Sequence, residues 1–82
     1  YEIGLAKGIP FSFDDAVAYG IKFAADMPHA SPSMRLDHLA GKRSEIDAIN
    51  GMVPVLGREI GIKTPYNDTL VALVRAREAS FA

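Results

Sequence analysis

Residues Pro32–Val53 read PSMRLDHLAGKRSEIDAINGMV, and how this stretch is divided decides the fold. Ser31 followed by Pro32 has the N-cap and N1 chemistry of a helix start, which makes Ser33 the second residue of a short helix running to Ala40. Gly41-Lys42-Arg43 is then a basic turn, with glycine suited to ending the helix. Ser44 can cap the next helix, with Asp47 at the capping-box position and Glu45 as first helical residue. Ile46, Ile49, Val53, Leu56 and Ile60 recur at helical spacing, and Gly61 ends the run. Two residues disturb it. Asn50-Gly51 is a hairpin signal between alternating strands, but here its flanks have a period near 3.6. Pro54 removes the donor that the Asn50 carbonyl needs. The expectation is one kinked helix, not two.

Helical patterning extends in both directions. YEIGLAKGIP reads as the tail of a helix, with Gly8 beyond its end and Pro10 as a stop signal. In FSFDDAVAYGIKFAADM, Ser12 can cap, Asp15 can complete a box, and Phe11 sits at the staple position. Phe13, Val17, Ile21 and Ala24 then share one face. Downstream, Thr64-Pro65 opens a last helix on which Tyr66, Leu70, Leu73, Arg77 and Phe81 line up. No repeat, low-complexity tract or alternating pattern occurs. The fold class is all-α, a small bundle of about five helices.

Bulk properties narrow the function. Eighty-two residues make one domain with a small core, and 49% hydrophobic content argues against disorder. A net charge of −1 offers nothing to nucleic acid or an acidic membrane surface. The absence of cysteine excludes disulfides, thiol catalysis and cysteine-ligated zinc. No apolar run has membrane-spanning length, and no signal peptide is visible. The chain opens on Tyr1, which suggests that something upstream has been removed.

Individual side chains are read against their plain alternatives. His29 falls in a loop and His38 on a helix, without a partner at metal-ligand spacing, so both read as solvated or capping and no metal is expected. The seven glycines form no dinucleotide fingerprint or P-loop. Lys42-Arg43 reads as a solvated turn. Ser33, near unpaired helix N–H groups, could bind a carboxylate or phosphate, although spacing alone favours an ordinary polar residue. Glu45 is favoured at a helix start by the dipole whatever its job. Neither makes a catalytic centre by itself.

The motifs taken together resemble the C-terminal helical domain of the ketopantoate reductase (2-dehydropantoate 2-reductase) family. They are Ser33-Met34, Asp37, Gly41-Lys42, Ser44-Glu45-Ile46-Asp47, Asn50-Gly51, Gly57 to Gly61-Ile62, and Thr64-Pro65, in register without a gap. The resemblance implies a two-domain, cytoplasmic enzyme: an N-terminal Rossmann domain that binds NADPH, then this helical domain, with substrate between them. Such enzymes transfer a hydride to the ketone of ketopantoate, giving pantoate for pantothenate and coenzyme A. Ser33 corresponds to the family's substrate-binding serine, and Glu45 to the glutamate that lines the same cleft and supports the catalytic centre.

Residues 1–82 are then a fragment lacking the domain's first helices, inactive alone because the catalytic lysine and the nucleotide domain lie upstream of Tyr1. Its exposed apolar surface is expected to be buried in a homodimer. Family members often carry asparagine where this chain has Ala30, which implies either ketopantoate or a related 2-oxo acid as substrate. The reading from another class is a helical interaction module without catalysis.

Overall fold

The computed structural model describes residues 1–81, which form five helices and no strand among them. They fall into two compact units, Tyr1–Ala30 and a second beginning at Ser31.

The first unit contains α1 (Glu2–Ala6) and α2 (Ala16–Asp26). The expected cap at Ser12 is not used. Residues 11–15 stay out of the helix, and Asp15 in extended conformation caps α2, accepting from the Ala18 N–H at 3.0 Å. Asp15 therefore begins the helix instead of completing a box, a cap contributing about 1 kcal/mol. Phe11 and Phe13 are freed to pack with Tyr1, ring centroids 4.9 and 5.7 Å from its ring. Phe13 also stacks on Tyr19 at 4.1 Å. No residue of this unit is fully buried: Val17 and Ile21, on the expected apolar face, are 74% and 68% exposed.

The second unit carries α3 (Ser33–Leu39), α4 (Met52–Ile60) and α5 (Pro65–Glu78). Pro32, not Ser31, occupies the N-cap of α3, so Ser33 is the first helical residue. The Ser31 hydroxyl accepts from the Arg35 guanidinium at 3.3 Å instead of capping. Helix α3 ends as its sequence predicts. Gly41 has φ +69°, its N–H donates to the His38 carbonyl, and the Lys42 N–H donates to the Asp37 carbonyl at 2.8 Å. This pair of bonds requires a left-handed residue, which glycine adopts without steric cost.

The single kinked helix expected from Ser44 to Ile60 is not formed. Residues 46–51 are a series of turns, and α4 starts only at Met52. Pro54 explains the boundary. A proline is tolerated in the first turn of a helix, where its missing donor is not needed, and starting α4 at Met52 places it there. The orphaned Asn50 carbonyl accepts from Val53 N–H at 3.2 Å, one residue earlier than in an α-helix. Gly51 passes so close to the Asp47 backbone that a Cβ at this position would lie 2.8 Å from Asp47 Cα.

Helix α5 opens at Thr64-Pro65 as expected, but it turns a different face inward. Tyr66, Leu70, Leu73 and Arg77 are exposed, while Val71 and Glu78 are buried and Asn67, Val74 and Phe81 are half-buried. The core proper is small: Ile46 from the turns, Pro54 and Gly57 from α4, and Val71 from α5. Side-chain bonds add to it. Residues 44–50 run along α5 and are tied to it by Ser44 to Glu78, Asp47 to Arg75, and Asn50 to Asn67. These three ties hold a segment that lacks a continuous backbone ladder of its own.

Alanine at two glycines should therefore act in opposite directions under denaturant unfolding. Gly51→Ala forces the added methyl against the backbone of Asp47 and should destabilise by about 1–3 kcal/mol. Gly20→Ala, in open space within α2, should stabilise by about 0.4–1 kcal/mol. Equal effects at both positions would contradict the close approach at Gly51.

Candidate functional site

Among the described residues Glu78, the last residue of α5, is the buried charged group. One of its carboxylate oxygens, Oε2, accepts three hydrogen bonds: from Ser44 N–H at 2.9 Å, from Ser44 Oγ at 2.5 Å, and from His38 Nε2 at 2.8 Å. The reversal of the chain at Gly41 is what allows His38 and Ser44 to meet one acceptor. The side chains of Glu78 and His38 are 7% and 14% exposed, and the His38 ring stands edge-on to Phe81 at 5.2 Å.

A carboxylate at a helix C-terminus faces the negative end of the dipole, so helix stability does not favour Glu78. Its donors do. The Ser44 hydroxyl, the His38 ring and the Ser44 N–H, in that order of effect, hold the Glu78 carboxyl down to about 2 from an ordinary 4.5, against an opposing effect of desolvation. Glu78 is thus ionised at neutral pH and can only accept, which places a proton on His38 Nε2.

Serine, histidine and glutamate together bring hydrolytic triads to mind, but the geometry differs. In a triad the hydroxyl bonds to the imidazole, which removes its proton. Here the hydroxyl and the imidazole both donate to the carboxylate. Ser44 is anchored, not activated. It also does not cap a helix, and Asp47, the expected box partner, instead accepts from Arg75 Nε at 3.0 Å. Likewise His38 is neither solvated nor a cap.

Ser33 and Glu45 are both exposed, and neither side chain has a hydrogen-bond partner among the described residues. Ser33 heads α3. Glu45 is not a first helical residue: it occupies a bend, with its carbonyl accepting from Ala48 and Ile49 N–H. The helix-dipole argument for Glu45 therefore fails. Through its neighbours, however, Glu45 is fixed on both sides, Ser44 being tied to Glu78 and Ile46 buried. The same carboxylate reaches α3 through His38, so one group braces the two segments carrying Ser33 and Glu45.

Beside this brace lies a polar cleft of about 290 Å³, lined by Arg43, Ser44, Ile46, Asp47, Arg75 and Glu78 among others. A larger, more apolar groove of about 510 Å³ follows the α4–α5 connection past Arg58, Ile62, Lys63 and Pro65. No trio of His, Asp and Glu side chains suited to a metal occurs among the described residues. No strand and no glycine-rich strand-to-helix turn of the dinucleotide-binding kind occurs among the described residues. No helix among them is long and apolar enough to cross a membrane.

Sequence periodicity missed Glu78 because its partners lie 34 and 40 residues away. Its one local sign is the spacing Asn67, Val71, Val74, Glu78, a helical face with polar ends.

The family model described as "Ketopantoate reductase PanE/ApbA C terminal" matches residues 1–78, including the first thirty residues that the motifs did not reach. A 2-dehydropantoate 2-reductase of Streptococcus pyogenes serotype M1 is 36% identical over 78 residues, covering 94% of this chain and 25% of that protein. The enzyme of the same name from Caulobacter vibrioides is 41% identical over 76 residues, covering 90% of this chain and 26% of its own length. That from Aquifex aeolicus is 43% identical over 47 residues, or 57% of this chain. The chain thus spans about a quarter of the length of the first two relatives. No solved structure matches it.

The lowered Glu78 carboxyl sets a pH dependence with a definite sign. Between 4.5 and about 2 the unfolded chain takes up a proton that the folded chain refuses. The stabilisation is complete above the upper value and disappears as pH falls towards the lower. The stability difference between wild type and Glu78→Gln, measured by denaturant unfolding, should shrink across that window. A difference independent of pH would contradict the bonding at Glu78.

Proposed function

The chain belongs to the ketopantoate reductase C-terminal family, and on that premise we propose that its parent is an NADPH-dependent 2-dehydropantoate 2-reductase. The reaction is the two-electron reduction of the ketone of ketopantoate to the secondary alcohol of pantoate, by hydride and proton. The observation that carries this reading is the family match across residues 1–78, and the resemblance of the motifs makes Ser33 and Glu45 the counterparts of the family's cleft residues.

In this reading Ser33 donates a hydrogen bond to the substrate, and Glu45 presents its carboxylate in the same cleft at the catalytic centre. The exposure of both side chains, on segments braced by Glu78, supports the assignment. NADPH is held mainly by the part of the parent outside this chain. The parent works in the cytoplasm, in pantothenate synthesis.

The apolar surface of the first unit, with Val17, Ile21 and Phe23 all exposed, is covered in the parent by the rest of the chain and by a second copy in a homodimer. Ala30, standing where the family often has asparagine, supports a second reading in which the substrate is another 2-oxo acid.

The test is NADPH oxidation by the full-length parent, offered ketopantoate beside a panel of 2-oxo acids, with Glu45→Gln for comparison. Ketopantoate should be turned over, and Glu45→Gln should lower the rate by about a hundredfold, the lower range for loss of a positioned acid–base group. Preference for a different acid would move the substrate and keep the chemistry. Absence of oxidation with every acid would overturn the assignment.

A further inference from the structure

We propose that Glu78 is a positioning residue for the substrate cleft, holding the backbone that carries Glu45 through its bonds to Ser44. The proposal rests on the assignment of Glu45 to that cleft and adds to it a residue on a different element, 33 positions further along the chain.

The Glu45 side chain is exposed and makes no hydrogen bond or ion pair among the described residues, so its placement depends on its backbone. A helix would supply that support through its own ladder, but Glu45 lies in a bend that precedes turns. Beyond the bonds that the Glu45 carbonyl accepts from Ala48 and Ile49 N–H, the support comes from side chains. Ser44 gives both its N–H and its hydroxyl to Glu78 Oε2, and Ile46 is buried on the other side. Asp47 to Arg75 and Asn50 to Asn67 continue the attachment along α5. Of these ties, the one to Glu78 adjoins Glu45 directly and is the best shielded from water.

The chemistry of the acceptor matters. Three donors converge on one oxygen, which an ionised carboxylate accommodates through its charge and lone pairs. A glutamine there would offer a neutral oxygen and an amide that repels other donors. Its shape would be kept while the bonding that fixes Ser44 is weakened. His38, the third donor, belongs to α3, so the same change loosens the helix headed by Ser33.

A double-mutant cycle in the full-length parent tests this, with kcat for ketopantoate reduction and the melting temperature measured for Glu78→Gln, Glu45→Gln and the pair. Glu78→Gln should lower kcat by about tenfold to a hundredfold, the range that follows from displacing a reacting group by up to an ångström. In the Glu45→Gln background it should cost much less than in the wild type, leaving only the part that acts through the Ser33 helix, because the group it chiefly positions is gone. Losses that multiply would assign Glu78 a purely structural role and overturn the proposal while leaving the cleft assignment intact. Wild-type turnover in Glu45→Gln alone would overturn both. If Glu78→Gln does not fold, Ser44→Ala removes one donor and keeps the Ser44 N–H, and the same two patterns decide the result.

Discussion

In the second unit, α3 and the segment after Gly41 meet α5 at one carboxylate oxygen that receives three hydrogen bonds. A carboxylate almost removed from water must find donors inside the protein, since an unpaired charge in such a place is strongly unfavourable. Glu78 finds them on α3 and on the segment after Gly41. The buried apolar core, centred on Ile46 and Val71, is too small to specify the path of residues 44–51 alone. Polar side chains along α5 do that instead. A group disfavoured by the helix dipole is kept at the end of α5 because its value lies in tertiary bonding.

Much of the architecture was legible from local chemistry. Five helices, the proline start of α5 and the glycine end of α3 all follow from residue types with strong backbone preferences. The misreadings have a common origin. Ser31, Ser12 and Ser44 each suit an N-cap locally, and none caps: Pro32 and Asp15 take two of the positions, and Ser44 is drawn to Glu78. The apolar pattern of residues 44–60 is helical in period, but Asn50, Gly51 and Pro54 end the ladder before α4 begins. On α5 the apolar periodicity points to the wrong face because the true inward face is partly polar, with Asn67 and Glu78 bonded across it. Periodicity counts apolar side chains and cannot anticipate polar ones that are buried with partners.

The candidate site was legible only through family resemblance. Ser33 and Glu45 carry no distinctive chemistry of their own, and the dipole argument that made Glu45 plausible as a structural acid disappears once its helix does. An exposed acid in a bend, without a partner yet held between an anchored serine and a buried isoleucine, fits a residue positioned to meet something outside this segment. The chain amounts to about a quarter of the length of its S. pyogenes and C. vibrioides relatives.

The bracing role of Glu78 is tested most directly by following its carboxyl carbon by NMR during an acid titration of the folded full-length protein, with Glu78→Gln used to assign the signal. If three donors meet on that carboxylate, the resonance should remain that of the ionised form well below 4.5 and move only as pH approaches 2. Titration near 4.5 with the fold intact would mean that the bonds to Ser44 and His38 do not hold in solution, and the account of how Glu45 is placed would fall with them.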